Sequence, residues 1–249
     1  MSRATSLSIA RARLDSVTAR LPVFPLGTVL FPGLVLPLHI FEERYRALVR
    51  HLVELPEGQP REFGVVAIRA GWEVAASGPG GAALANPDVS LHEVGCTAEV
   101  RQVTELPDGG FDLVTVGRRR FRLRDVDGRS APYLTAEVEW LPEPTGPDES
   151  TALLAARVIA VFRQYLTLVR AEDEELSEQL PEDPTVLSHL VAATAALTVG
   201  DRQELLAIDD TAARLRAELR LLNREAALLR QVRAVPVPLS ELAAPPTPN

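Results

Sequence analysis

The spacing of apolar residues changes once along the chain, near residue 142, and this change limits the fold more than any other sequence feature. From about Leu21 to Leu141, short β-branched and apolar runs are separated by Gly, Pro and Asp, the pattern of a small antiparallel barrel or sandwich. The segment PEPTGPDES at 142–150 then reads as a linker, and beyond it the apolar residues recur at helical spacing. An α+β chain of two unlike halves is the expectation.

In the first half the spacing predicts strands at 21–24, 34–40, 62–69, 92–104, 111–117, 119–126 and 133–141. One helix interrupts them, because Tyr45, Leu48, Val49 and Leu52 fall at i, i+3, i+4 and i+7 between Glu42 and Leu55. Pro107, Asp108, Gly109 and Gly110 predict a hairpin turn, with glycine supplying positive φ. Segment 76–91, ASGPGGAALANPDVSL, has no period and reads as a long loop. In the second half, helices are expected at 151–170, 185–196, 200–206 and about 211–233, burying stripes that include Val158, Phe162, Leu215 and Leu222. Residues 1–20 and the proline-rich 234–249 are expected to be flexible tails.

Charge separates the halves as well. Residues 1–141 carry 16 Arg against 17 acids, a net −1, and 142–249 carry 10 Arg against 17 acids, a net −7. Against this background Arg118, Arg120, Arg122 and Arg124 stand out. Strand alternation predicts that they share one face, with Arg119, Phe121, Leu123 and Asp125 on the other. Such a ladder suits an anionic partner, or a cover supplied by the acidic segment 172–183. Nucleic acid is the less favoured partner, because no aromatic platform accompanies the arginines and the whole chain is at −8.

All 26 positive side chains are arginine, and none of the 249 residues is lysine. That excludes a Walker A phosphate loop, Schiff-base or PLP chemistry and a Ser-Lys dyad. No GxSxG, HExxH or GxGxxG motif occurs, and the spacing of His39, His51, His92 and His189 matches no metal site. Cys96, alone and in a strand-like context, reads as a buried thiol. The reading is therefore a non-enzyme with no catalytic residues, metal or cofactor. Apolar runs fall short of the ~20 residues that span a membrane, so a cytoplasmic chain without a membrane partner is expected.

The block LPVFPLGTVLFPGLVLPLHIFEERYRALV at 21–49 resembles the opening of the N-terminal, substrate-binding domain of Lon proteases. FGVVAI at 63–68, EVGCTAEV at 93–100, LPDGGFDLVTVGRRRFRL at 106–123 and PYLTAEVEWL at 132–141 follow in that family's order, and the resemblance extends over about residues 21–233. It implies a PUA-like β-barrel with one inserted helix at 21–141, followed by a C-terminal helical bundle at 151–233. It also implies a stand-alone recognition protein lacking the ATPase and protease modules, acting on unfolded or partly folded polypeptides as an adaptor or holdase, with a separate protease as a further partner. An RNA-binding PUA-like module is the alternative. Phe24, Phe31, Leu36, Leu38 and Phe41 are expected to fill the barrel. Exposure arguments nominate Trp72 beside the 76–91 loop, and Phe31 with Leu34 at the first connection, as polypeptide contacts.

Overall fold

A computed structural model describes residues 18–70, 90–146, 148–169 and 180–234. Its seven strands are β1 (Thr18–Leu26), β2 (Val35–Ile40), β3 (Glu62–Ala70), β4 (Ser90–Leu91), β5 (Val94–Glu105), β6 (Phe111–Asp127) and β7 (Leu134–Trp140). Helix α1 (Glu43–Glu54) follows β2, and α2 (Asp148–Val169), α3 (Pro184–Thr194), α4 (Val199–Ala207) and α5 (Thr211–Ala234) follow β7. The mixed sheet has the order β1-β7-β6-β5-β3-β4, a parallel β1–β3 pairing joins its two sides, and β2 pairs with β6.

β1 starts three residues earlier than expected, and Thr18 to Arg20 pair with Glu139 to Glu137 on β7. It changes neighbour at Val23, pairing with β7 before that residue and with β3 after it. Each half is thus hydrogen-bonded along one side, which lets a strand tolerate Pro22 and Pro25. The two strands expected at 111–117 and 119–126 are one strand, β6. Its N-terminal part pairs with β2, its C-terminal part with β7, and β5 runs along most of its length. The turn before β6 forms as its residues dictate: Gly109 has φ +76°, and Asp108 Oδ1 accepts a hydrogen bond from Gly110 N at 3.0 Å.

α1 buries Tyr45, Leu48, Val49 and Leu52, the stripe read from the sequence. With Phe24, Ile40, Phe63, Cys96 and Leu113 they form one apolar cluster. A larger cluster crosses between the halves. Val29 and Phe31 from the β1–β2 connection, Ala67 from β3 and Val94 from β5 pack among Val158, Phe162, Leu187, Leu205, Leu215 and Leu222 of the helices. Phe31 has no exposed surface, and its ring centroid lies 6.0 Å from that of His189 on α3. Its expected exposure is therefore corrected: the first connection carries Phe31 under the helices. Phe41, expected inside, is 61% exposed.

The helices start where local chemistry predicts. Asp183 Oδ1 accepts from Thr185 N and Val186 N at 2.9 Å, with Pro184 in the first turn of α3. Thr198 caps α4 by accepting from Asp201 N. α2 differs from the sequence expectation in one respect. Ser150–Val169 reach a mean hydropathy of 1.5, long and apolar enough by composition to cross a membrane, although Ala155, Val158, Phe162, Tyr165 and Leu166 face the core.

Candidate functional site

The expected arginine face does not form, because β6 gains a residue relative to β5. Ala98 pairs with Gly117 and Cys96 with Arg120, so two steps on β5 match three on β6. A bulge of this kind reverses the facing of the residues beyond it. Arg118 and Arg119 are both exposed, and Arg120 turns inward and is 1% exposed. Phe121 is buried against Gly64 and Gly95; a Cβ on Gly95 would stand 2.5 Å from its ring.

Arg120 becomes the centre of a polar junction between the halves. Its Nε donates to Glu143 Oε1. Nη1 donates to the carbonyls of Leu206 at 2.7 Å and Ile208 at 2.6 Å, and Nη2 to that of Pro142 at 3.0 Å. Arg214 on α5, also fully buried, approaches from the other side. It donates to Glu143 Oε2 at 3.2 Å, to Ser188 Oγ at 3.0 Å and to the Leu205 carbonyl at 3.3 Å. The expected linker is thus structural: Glu143 bridges two buried guanidiniums, and Pro144 O accepts from Thr211 N at 3.0 Å. Residues 172–179 of the acidic segment lie outside the described residues.

Burial alone would raise the Glu143 pKa, but His189, 3.6 Å from Oε2, and the charges and hydrogen bonds of Arg120 and Arg214 outweigh it and bring the carboxyl down to about 2. Burial lowers the His189 pKa despite Glu143 nearby. One turn beyond Arg214, Glu218 is 1% exposed, and neither carboxylate oxygen has a hydrogen-bond partner among the described residues. Burial pushes its pKa well up, against the pull of Arg214.

The other arginines of β6 are paired, with Arg118, Arg119 and Arg124 exposed and Arg122 half-buried. Arg119 meets Glu62 at 3.0 Å and stacks over Trp140, 3.8 Å from the ring centroid. Arg122 meets Glu93 at 3.6 Å, and Arg124 pairs with Glu139. At the other end of β6, Arg118 Nε lies 2.9 Å from Glu99 Oε2, and Arg101 Nη1 lies 3.2 Å from Glu99 Oε1. Two guanidiniums there share one carboxylate.

That surplus cation borders an apolar strip. In β2 and the first part of β6, Leu36, Leu38 and Ile40 face α1 together with Thr115, Leu113 and Phe111. Val35, Pro37 and His39 face outward, opposite Val116, Val114 and Asp112. Val35 is 62% exposed and Val114 37% exposed. His39 Nδ1 and Asp112 Oδ1, 2.8 Å apart, close one end of the strip. On β5, Glu99 pairs with Val116 and Gln102 with Val114, so polar groups edge the strip on that side. Among the described residues, the far edge of β2 pairs with no strand. Leu34 O accepts from Gly117 N at 2.8 Å, so even-numbered residues bond β6 and odd-numbered ones turn their backbone to the open edge. Pro37 occurs there, where no N–H is required.

Of the nominated contacts, Trp72 lies outside the described residues, as does the 76–91 loop except for Ser90 and Leu91. Leu34 is half-buried between the two large apolar clusters. In VLPLHI only Leu36 and Leu38 are expected as filling, and Val35, Pro37 and His39 are assigned no role; the period of two, with a proline within it, is the signal that these three form the wet face of an edge strand.

The mixed sheet followed by helices is a fold shared with solved Lon N-terminal domains. The N-terminal domain of the Mycobacterium avium complex Lon protease superposes with a TM-score of 0.60 at 22% identity, covering 82% of this chain and 98% of that one. The Lon N-terminal domain protein from Xanthomonas campestris gives 0.56 at 26% identity, covering 81% and 98%. A family profile described as the ATP-dependent protease La (LON) substrate-binding domain matches residues 20–224, and the chain belongs to that family. It is similar to the Lon protease of Anaeromyxobacter dehalogenans, 29% identical over 87% of this chain and 24% of that protein. The Lon protease of Escherichia coli K12 is 27% identical over 84% of this chain and 25% of its own length. The chain spans about a quarter of these relatives.

Proposed function

We propose that this chain is a non-catalytic recognition module that takes exposed apolar segments of other polypeptides onto the outer face of β5, β6 and β2, as a cytoplasmic adaptor or holdase in protein quality control. The observation that carries this reading is the outward row Val35, Pro37, Val114 and Val116, lying on a domain whose family is defined by substrate binding. Burying an exposed Val or Phe side chain is worth ~1.5–3 kcal/mol before the cost of association. So small a strip suits weak, reversible capture and hand-over to a separate protease. The absence of lysine across all 249 residues rules out a Walker A phosphate loop or a Ser-Lys dyad within them. The pairing ring β1-β7-β6-β5-β3 supports reading residues 21–141 as a PUA-like barrel, with 151–233 as its helical bundle and 142–150 as a structured connection. The RNA-binding alternative draws little support, because Arg120 is buried and Arg122 and Arg124 each face a carboxylate.

Fluorescence anisotropy with a labelled, unfolded apolar peptide tests the reading. Val35→Ser combined with Val114→Ser should weaken binding at least fivefold while the melting temperature stays unchanged. Undiminished binding by the double variant refutes this face as the site.

A further inference from the structure

Three outward positions in succession on β6 differ in chemistry: Val114 and Val116 are apolar, and Arg118 is cationic. Successive outward residues of a strand stand about 6.6–6.8 Å apart. Arg118 is 52% exposed and Arg101 49% exposed, and their one ionic partner among the described residues is Glu99. The apolar row therefore ends in one uncompensated positive charge, while its opposite end is closed by the His39–Asp112 pair. A face of this kind is complementary to an extended segment with two apolar side chains and then an anion, each two residues apart.

We propose that the β6 face selects extended segments that carry a carboxylate at the Arg118 end, two residues beyond a pair of apolar side chains at i and i+2. This deepens the proposed function and rests on it. The carboxylate belongs to Asp or Glu within a chain, or to the chain terminus; both offer the same planar acceptor to a guanidinium. Capture runs through side chains laid on the sheet face, because Pro37 deletes the central N–H of the open β2 edge and weakens any added strand there. Direction along the strip is not selected, because an extended segment presents the same alternation either way. Spacing is selected: moving the acid by one residue turns it away from the face. A lone extra positive charge is also too little for a polyphosphate backbone, which requires several such contacts.

The test uses the full chain and fluorescein-labelled peptides with the repeat Leu-Ser-Leu-Ser followed by Asp, by Asn in its place, or by Asp shifted by one residue, all amidated. A fourth peptide ends at the same position in a free C-terminal carboxylate. The wild type should prefer Asp over Asn by about threefold to fivefold at low salt, the range of an exposed ion pair, and the preference should fade as salt rises. Shifting the Asp should abolish it. The C-terminal peptide identifies which source of carboxylate binds better. Arg118→Gln should erase the preference while leaving binding of the Asn peptide in place, and Glu99→Gln, which removes the competing anion, should enlarge it. Equal affinity for the Asp and Asn peptides in the wild type, or a preference surviving Arg118→Gln, overturns this proposal alone. Failure of every peptide to bind overturns the apolar capture reading with it.

Discussion

Replacing Arg120 with alanine should destabilise the fold by about 3–5 kcal/mol, the cost of removing one partner from a buried ion pair. Two losses combine. Glu143 keeps Arg214 but loses its nearer guanidinium, and the carbonyls of Pro142 and Leu206 lose their Arg120 donors while that of Ile208 keeps only Arg214 Nη2 at 3.4 Å. For a chain of this length the change corresponds to a fall in melting temperature of about 6–20 °C. Lysine should rescue little, because its three donors on a point charge cannot reproduce a fork that serves Glu143 and several carbonyls at once. Urea unfolding followed by far-ultraviolet circular dichroism gives the stability, and a double-mutant cycle with Glu143→Gln isolates the pair. Arg124→Ala is the control, since its exposed pair with Glu139 should be worth under about 1 kcal/mol. If Arg120→Ala and Arg124→Ala cost the same, or the cycle returns no coupling, the junction does not hold the halves together.

Acid should weaken the fold through the same junction. With the Glu143 pKa at about 2 against an ordinary 4.5, its contribution, about 3 kcal/mol at most, is complete above pH 4.5 and is lost as pH falls toward 2; Glu143→Gln should flatten that part of a stability–pH profile. Glu218 has the opposite sign. Its raised pKa favours the folded state below the ordinary carboxyl range and costs stability as pH rises. Glu218→Gln should therefore gain stability over the wild type progressively above pH 4.5, and a difference constant with pH would refute the assignment. Phe31→Ala should cost about 3–5 kcal/mol, as expected for a buried aromatic; a loss under about 1 kcal/mol in urea unfolding would contradict its place under the helices.

Much of the architecture was readable because it follows from short-range rules. Tyr45, Leu48, Val49 and Leu52 sit on one helical stripe whatever surrounds them, Asp183 and Pro184 start α3 by capping and fixed φ, and Gly109 takes the positive φ that its turn demands. The candidate site was less legible. Facing along β6 depends on one extra residue opposite Cys96–Ala98, and alternation counted from the sequence passes over such a bulge unchanged. Arg120 was therefore grouped with its exposed neighbours. Phe31 and Phe41 part for a related reason: both are large and apolar, and only the path of the chain buries Phe31 under the helices and leaves Phe41 exposed.

The sequence by itself determined the class of elements, the order of strands before helices, the lack of lysine-dependent chemistry and the family resemblance, because composition and periodicity are local properties. The tertiary structure decided which charges are buried and which remain free. It turned Arg120 inward to Glu143 and Arg214, and left Arg118 and Arg101 to share Glu99 beside an open apolar strip. A guanidinium's worth depends on its dielectric surroundings and its partners, and residues more than 80 positions apart supply both.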